Sequence, residues 1–186
     1  GEKFMIGGTG YWWQYDGELE GDYNISTYAL YAGYKFTPAV ALKAMYYWQS
    51  FSDDFKKAAT GETSPKAWKA ILDIKQEALK FTSLWVEYSQ EDNTFMGIES
   101  RYSIGGGSYD YVGRNWAFAD PHGTSKWWFA TAKQQWNDKW STFLRYANVN
   151  YDTDGLDNAT EWGIGVGYQY TPAVYFELAF DQVDHG

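Results

Sequence analysis

The chain has 186 residues and a formal net charge of −9, with 15 Lys and Arg against 24 Asp and Glu, an aromatic share of 21% and no cysteine. That length holds one domain or at most two. The missing thiols exclude disulfides, thiol catalysis and cysteine-bound zinc or iron–sulfur centres, and the acidic balance argues against nucleic acid as a partner.

In chain order, Glu2–Tyr15 is extended and aromatic, but Gly7, Gly8 and Gly10 blur its parity. Asn24–Thr37 alternates with period two: Tyr28, Leu30, Ala32, Tyr34 and Phe36 on one side, Thr27, Ala29, Tyr31, Gly33 and Lys35 on the other. Val40–Phe51 repeats the pattern. Lys66–Lys75 sets Trp68, Ala70, Leu72 and Ile74 against Lys69, Ile71 and Asp73, although the composition of Lys66–Leu79 also suits a helix. Leu79–Ser89, Lys126–Trp136 and Lys139–Asp152 supply three more strands. Thr160–Thr171 is the clearest, with Trp162, Ile164, Val166, Tyr168 and Tyr170 alternating with Glu161, Gly163, Gly165, Gly167 and Gln169; Val174–Val183 closes the set. Apolar residues at three- and four-residue spacing, the mark of a helix, are missing from these segments.

The connectors alternate in length. Those at Thr37–Ala39, Gln76–Ala78, Asn137–Asp138 and Thr171–Ala173 are tight, whereas Asp16–Tyr23, Ser52–Pro65, Gln90–Ser125 and Thr153–Ala159 are long and polar. Nine strands with short and long connectors taking turns is the arrangement of an outer-membrane barrel. No run approaches the roughly 18 apolar residues of a membrane helix, but a barrel needs none, because only alternate residues face lipid. No charged-then-apolar leader begins the chain, so it reads as mature or trimmed. Gly33–Gln49 and Gly167–Gln182 echo one another as two strand–TPAV–strand hairpins.

The fold class expected is therefore all-β, a transmembrane antiparallel barrel with about nine strands visible, part of a larger one of, for example, 16 strands. Its lipid-facing aromatic girdles are assigned to Tyr34, Phe36, Trp136, Trp140, Tyr168 and Tyr170 beside the short turns, and to Tyr28, Trp48, Trp127, Trp128, Trp162 and Phe180 beside the long loops. The opposite face carries Lys35, Lys43, Lys69, Lys133 and Arg145 and the acids Asp73, Glu87, Glu161, Glu177 and Asp181. A dry sandwich core would reject these charges, whereas a wet lumen accepts them, so they are the expected pore lining. Bases dominate the first hairpin and acids the last two strands, which on closure implies a transverse field across the pore. Gln90–Ser125 is expected to fold inward and narrow the channel, with Arg101 and Arg114 as further pore-lining cations.

The segment Ile74–Phe95 (IKQEALKFTSLWVEYSQEDNTF), the GYKFTPAVALKAMYYWQ hairpin and the closing GVGYQYTPAVYFELAFDQVD resemble the barrel region of outer-membrane porins that carry an N-terminal S-layer-homology (SLH) domain, the OmpM-like porins. The resemblance implies a passive channel for small hydrophilic solutes and ions in the cell outer membrane. It also implies a homotrimer, with outer-membrane lipid around the barrel and an SLH domain tethering it to cell-wall polymer. No SLH segment is visible in these residues. Nine strands is an odd number and the ninth would run outward, so further strands are expected at one or both ends.

No catalytic residue, cofactor or metal site is expected. His122 and His185 are the only histidines, no G-x-S-x-G or P-loop pattern occurs, and Asp152–Asp157 lacks the spacing of a calcium-binding hand and reads as a solvated turn. Two alternatives stand beside the porin: a soluble or surface-bound aromatic-rich module that binds carbohydrate, and a barrel that anchors without conducting.

Overall fold

The computed structural model describes residues 2–14, 21–59, 64–92, 94–95, 123–152 and 157–184. Nine strands form one antiparallel sheet in simple meander order. They are β1 (Phe4–Gln14), β2 (Asn24–Thr37), β3 (Val40–Phe51), β4 (Lys66–Ile74), β5 (Ser83–Asp92), β6 (Thr124–Gln135), β7 (Trp140–Tyr151), β8 (Ala159–Thr171) and β9 (Val174–Asp184). The sheet is not closed: β1 and β9 are its edges. Because every neighbour is antiparallel, β1 and β9 run in the same direction.

Two short helices interrupt the connectors. Helix α1 (Asp53–Ala59) follows β3, and the single turn α2 (Gln76–Leu79) joins β4 to β5. Neither was anticipated in its place. The helix that the composition of Lys66–Leu79 suggested is reduced to α2, because the period-two register of Lys66–Ile74 against both neighbours captures the rest as strand. The connector at residues 75–82 is consequently longer than a tight turn. Lys80 ends it in a left-handed conformation, φ 72°, and its amide donates to the Gln76 carbonyl. The expected sorting of short and long connectors to opposite ends is therefore not strict, because the eight residues of 75–82 outnumber the seven of 152–158 at the other end.

The TPAV echo is structural as well. In both hairpins the register slips by one residue, between Lys35 and Thr37 and between Gln169 and Thr171. In both, the threonine hydroxyl accepts from an amide across the turn, Ala39 at 3.2 Å and Ala173 at 3.3 Å. Proline sits where no ladder donor is needed.

The pairings place side chains on two faces. One register row runs Gly33, Lys43, Ile71, Glu87, Phe129, Ala147, Glu161 and Val183 across β2 to β9, and the residues two apart along each strand share that face. This is the covered face, and every buried strand residue lies on it, from Ile25 and Thr27 to Ala159 and Glu161. The other face is open. It exposes Phe4, Ile6, Trp12, Leu30, Leu42, Trp128, Leu144, Ile164, Leu178 and Phe180, among others. Exposed large apolar side chains on the covered face, namely Met5, Tyr11, Trp13 and Tyr175, all belong to the two edge strands. The register also resolves β1, whose parity the glycines had blurred: Phe4, Ile6 and Trp12 stand on the open face with Tyr34, Ala32 and Ser26.

On β8 the covered face is bare backbone at Gly163, Gly165 and Gly167. Side chains from both neighbouring strands lie over this strip: the Phe143 ring over Gly165, the Asp181 carboxylate over Gly163, and the Tyr175 hydroxyl over Gly167. A Cβ at residue 165 would also come 2.7 Å from the Leu178 carbonyl oxygen, which cannot swing aside. Gly165→Val is therefore expected to lift Phe143 and loosen β9, at about 1–3 kcal/mol for overpacking. The unfolding midpoint in detergent should fall, and amide exchange should rise first along β9.

Candidate functional site

The ten charged strand residues expected to line a pore all share the covered face. They do not stand separately. Lys43 Nζ lies 2.7 Å from Asp73 Oδ2 on the neighbouring strand, Lys69 Nζ 3.9 Å from Glu87 Oε1, and Arg145 Nη2 2.8 Å from Glu177 Oε1. The last pair joins β7 to β9 across β8, a reach possible because residues 163, 165 and 167 of the intervening strand have no side chains.

Aromatic rings knit these pairs into two networks. On β3–β5, the Lys43 ammonium sits 4.7 Å from the centre of the Trp85 ring, and Trp85 Nε1 donates to Glu87 Oε2 at 3.4 Å. On β6–β9, the Arg145 guanidinium stacks 4.0 Å from the Phe143 ring, the Tyr175 hydroxyl donates to Glu177 Oε2 at 3.3 Å, and Lys133 Nζ lies 5.5 Å from the Tyr175 ring. Glu87 is 1% exposed and Glu161 6%. Burying a carboxylate demands such partners. Lys35, by contrast, is exposed at the short-turn end.

Six of the ten charges are thus paired between strands: bases of β3 and β4 bind acids of β4 and β5, and Arg145 binds an acid of β9. Arg101 and Arg114 lie outside the described residues, as does most of the Gln90–Ser125 segment. Its start is described: Thr94 is buried, and the Phe95 ring lies 6.1 Å from that of Tyr47, a covered-face residue of β3.

Near the long-loop end, the covered face turns apolar. Trp127, Val149, Tyr151 and Ala159 form a buried cluster with Val183 packed against it. Trp127 was expected in the girdle beside Trp128; alternation places it on the opposite face, buried among these residues. The other girdle residues named from the sequence stand on the open face. They stack: Tyr28 on Trp48 at 5.6 Å and Trp12 edge-on to Tyr28 at 6.2 Å, Trp68–Tyr88–Trp128 in series at 5.2 and 4.8 Å, and Trp162 on Phe180 at 5.7 Å. At the short-turn end, Tyr34 meets Phe36 at 5.2 Å, Trp140 meets Tyr168 at 4.5 Å, and Tyr170 meets Phe176 at 6.2 Å. Between the two rows lie Ile6, Leu30, Leu42, Leu72, Val86, Ala130, Leu144, Ile164 and Leu178. From Tyr28 to Tyr34 the strand covers roughly 20 Å at about 3.3 Å per residue.

Among the described residues no group of three or more His, Asp or Glu side chains is placed to hold a metal ion. The acids of the long connectors serve local structure instead. The Asp54 carboxylate accepts from the Asp22 amide at 2.9 Å, and chiefly this bond holds its pKa below the ordinary value, with help from Lys57. Compared with known proteins, the chain matches no family model and no curated sequence.

Two outcomes follow. Removing Glu87 alone, as Glu87→Leu, takes the carboxylate from Lys69 on the covered face and is expected to cost about 3 kcal/mol, whereas the double change with Lys69→Met recovers most of it, because a buried pair is worth little against an apolar replacement; chemical unfolding measures both. For Asp54 the folded pKa lies below the unfolded one, so its contribution is present above the ordinary carboxylate range and is lost as the pH falls through the lowered value. The protection of the Asp22 amide relative to its intrinsic exchange rate should fall in that acid window in the native chain, and be lower at neutral pH in Asp54→Asn.

Proposed function

We propose that the sheet is the wall of an outer-membrane β-barrel acting as a porin, a water-filled channel for passive diffusion of small hydrophilic solutes and ions. The observation that carries this reading is the open face: a continuous exposed aliphatic band bounded at both ends by stacked Trp, Tyr and Phe. In water such a surface aggregates. In a bilayer the band meets hydrocarbon and the aromatic rows meet the two interfaces. The covered face then borders the lumen, which is why it tolerates Lys43, Asp73, Lys69, Glu87, Arg145 and Glu177.

Lipid supplies no partners for a sheet edge, so a spanning sheet must close. Since β1 and β9 run the same way, fully antiparallel closure takes an odd number of further strands between them. The likeness to the OmpM-like porins suits this reading, including a homotrimer and, through an SLH domain, an attachment to cell-wall polymer. A non-conducting anchor is the second reading, favoured by the apolar cluster around Val149 and by buried Thr94, which narrow the long-loop end.

Planar-bilayer recording separates them. Stepwise conductance is expected from the reconstituted protein, and the anchor would insert without it. Lys35 and Lys133 form no carboxylate ion pair among the described residues, so Lys35→Glu with Lys133→Glu adds net negative potential to the wall. The reversal potential under a salt gradient should shift toward cations, most at low ionic strength.

A further inference from the structure

The open face is not uniformly convex. Across β6–β9 it holds an apolar depression of about 670 Å³, lined by Ala132, Leu144, Ile164, Leu178 and Phe180, with Thr82 and Thr142 at its short-turn end. That volume falls within the range of about 300–1,000 Å³ typical of small-molecule sites. The depression exists because Ala132 and Thr142 are small while the girdle above them is large. Trp136 is held over the entrance by its Nε1–H, which donates to Thr142 Oγ1 at 3.0 Å, and Trp140 stacks on Tyr168 beside it.

Two lysines belong to the connectors at this end of the sheet. Lys139 Nζ lies 6.0 Å from the centre of the Tyr168 ring, on the open-face side of the wall. Lys80 is exposed in the connector two residues before Thr82. Neither forms an ion pair among the described residues. An apolar trough in a hydrocarbon-facing wall, with interfacial aromatics and two lysine-bearing connectors at one end, has the polarity profile of one amphiphile.

We propose that this depression binds an anionic phospholipid, with its phosphate between Lys80 and Lys139 and an acyl chain laid over Ala132, Leu144 and Ile164. The proposal rests on the membrane reading above. A second copy of the chain fits less well: a flat protein face would meet exposed Trp136 and Trp140 first and leave the trough empty, whereas a flexible chain enters beneath them.

The test is native mass spectrometry of the full chain in detergent, titrated with phosphatidylglycerol or phosphatidylcholine. One phosphatidylglycerol per chain should be retained about tenfold more strongly than phosphatidylcholine. Lys80→Glu with Lys139→Glu should weaken its retention about tenfold or more, Ala132→Trp should fill the trough and abolish the adduct, and Lys3→Glu, on the same rim beside β1, should change nothing. Equal retention of the two lipids, or retention unchanged in the Lys80/Lys139 and Ala132 variants, overturns the proposal. So does an oligomer mass that Ala132→Trp abolishes while lipid retention persists, which would assign the face to a second copy. Flotation of the native chain with phosphatidylglycerol vesicles runs alongside. A chain that stays in the aqueous fraction overturns the membrane reading and this site together, whereas one that floats without a selective adduct overturns the site alone.

Discussion

A single sheet has two faces and must find a neighbour for each. Among the described residues, the apolar side chains on one face lie exposed, while the other face, which holds the ten charged residues, is the one that is covered. Water strongly penalises a continuous apolar surface of that extent, and a low-dielectric interior penalises unpaired charge. The two penalties are relieved together when hydrocarbon lies against the open face and a hydrated space borders the covered one. The meander order and the stacked aromatics at both strand ends are compatible with that arrangement. A two-layer soluble sandwich would need the apolar face turned inward.

The covered wall accommodates its charges by local pairing. Lys43 with Asp73, Lys69 with Glu87, and Arg145 with Glu177 are each held close enough for attraction to offset part of the lost hydration, and the neighbouring rings of Trp85, Phe143 and Tyr175 screen them from further contact. The glycines of β8 make one of these pairs possible, because side chains on β7 and β9, two strand spacings apart, meet over the bare backbone between them. The same strip secures β9, which as an edge strand has few other contacts. Glycine here serves close approach, and its lack of a Cβ matters more than its backbone freedom.

The edges set a further constraint. An unpaired edge of eleven residues is a liability in water and untenable in lipid. Because β1 and β9 run the same way, they can pair with each other only in parallel, and a fully antiparallel closure of the proposed barrel would take an odd number of further strands. The long connectors stand outside this logic. Helix α1 holds to the β1–β2 connector through Asp54 and Asp22 and packs Phe55 on Phe51 at 4.8 Å, a small aromatic anchor at one end of the sheet.

Alternation alone determined much of this. The nine strands, their period-two faces, and the ten charges on the face opposite the girdle aromatics follow from residues two apart lying on one side, a rule that needs no knowledge of neighbours. The TPAV hairpins were equally legible, since proline and threonine act within the turn. What stayed illegible depended on partners distant in the chain. Parity in β1 was settled by its register against β2, and the helical composition of Lys66–Leu79 gave way to two flanking strands. Trp127 left the girdle because its neighbour Trp128 already occupied that side. Six of the ten charges looked separated when read along the chain and proved paired because the register of the meander brings residues of nearby strands side by side. Side-chain pairing is a property of register and reach, and only the tertiary structure supplies both.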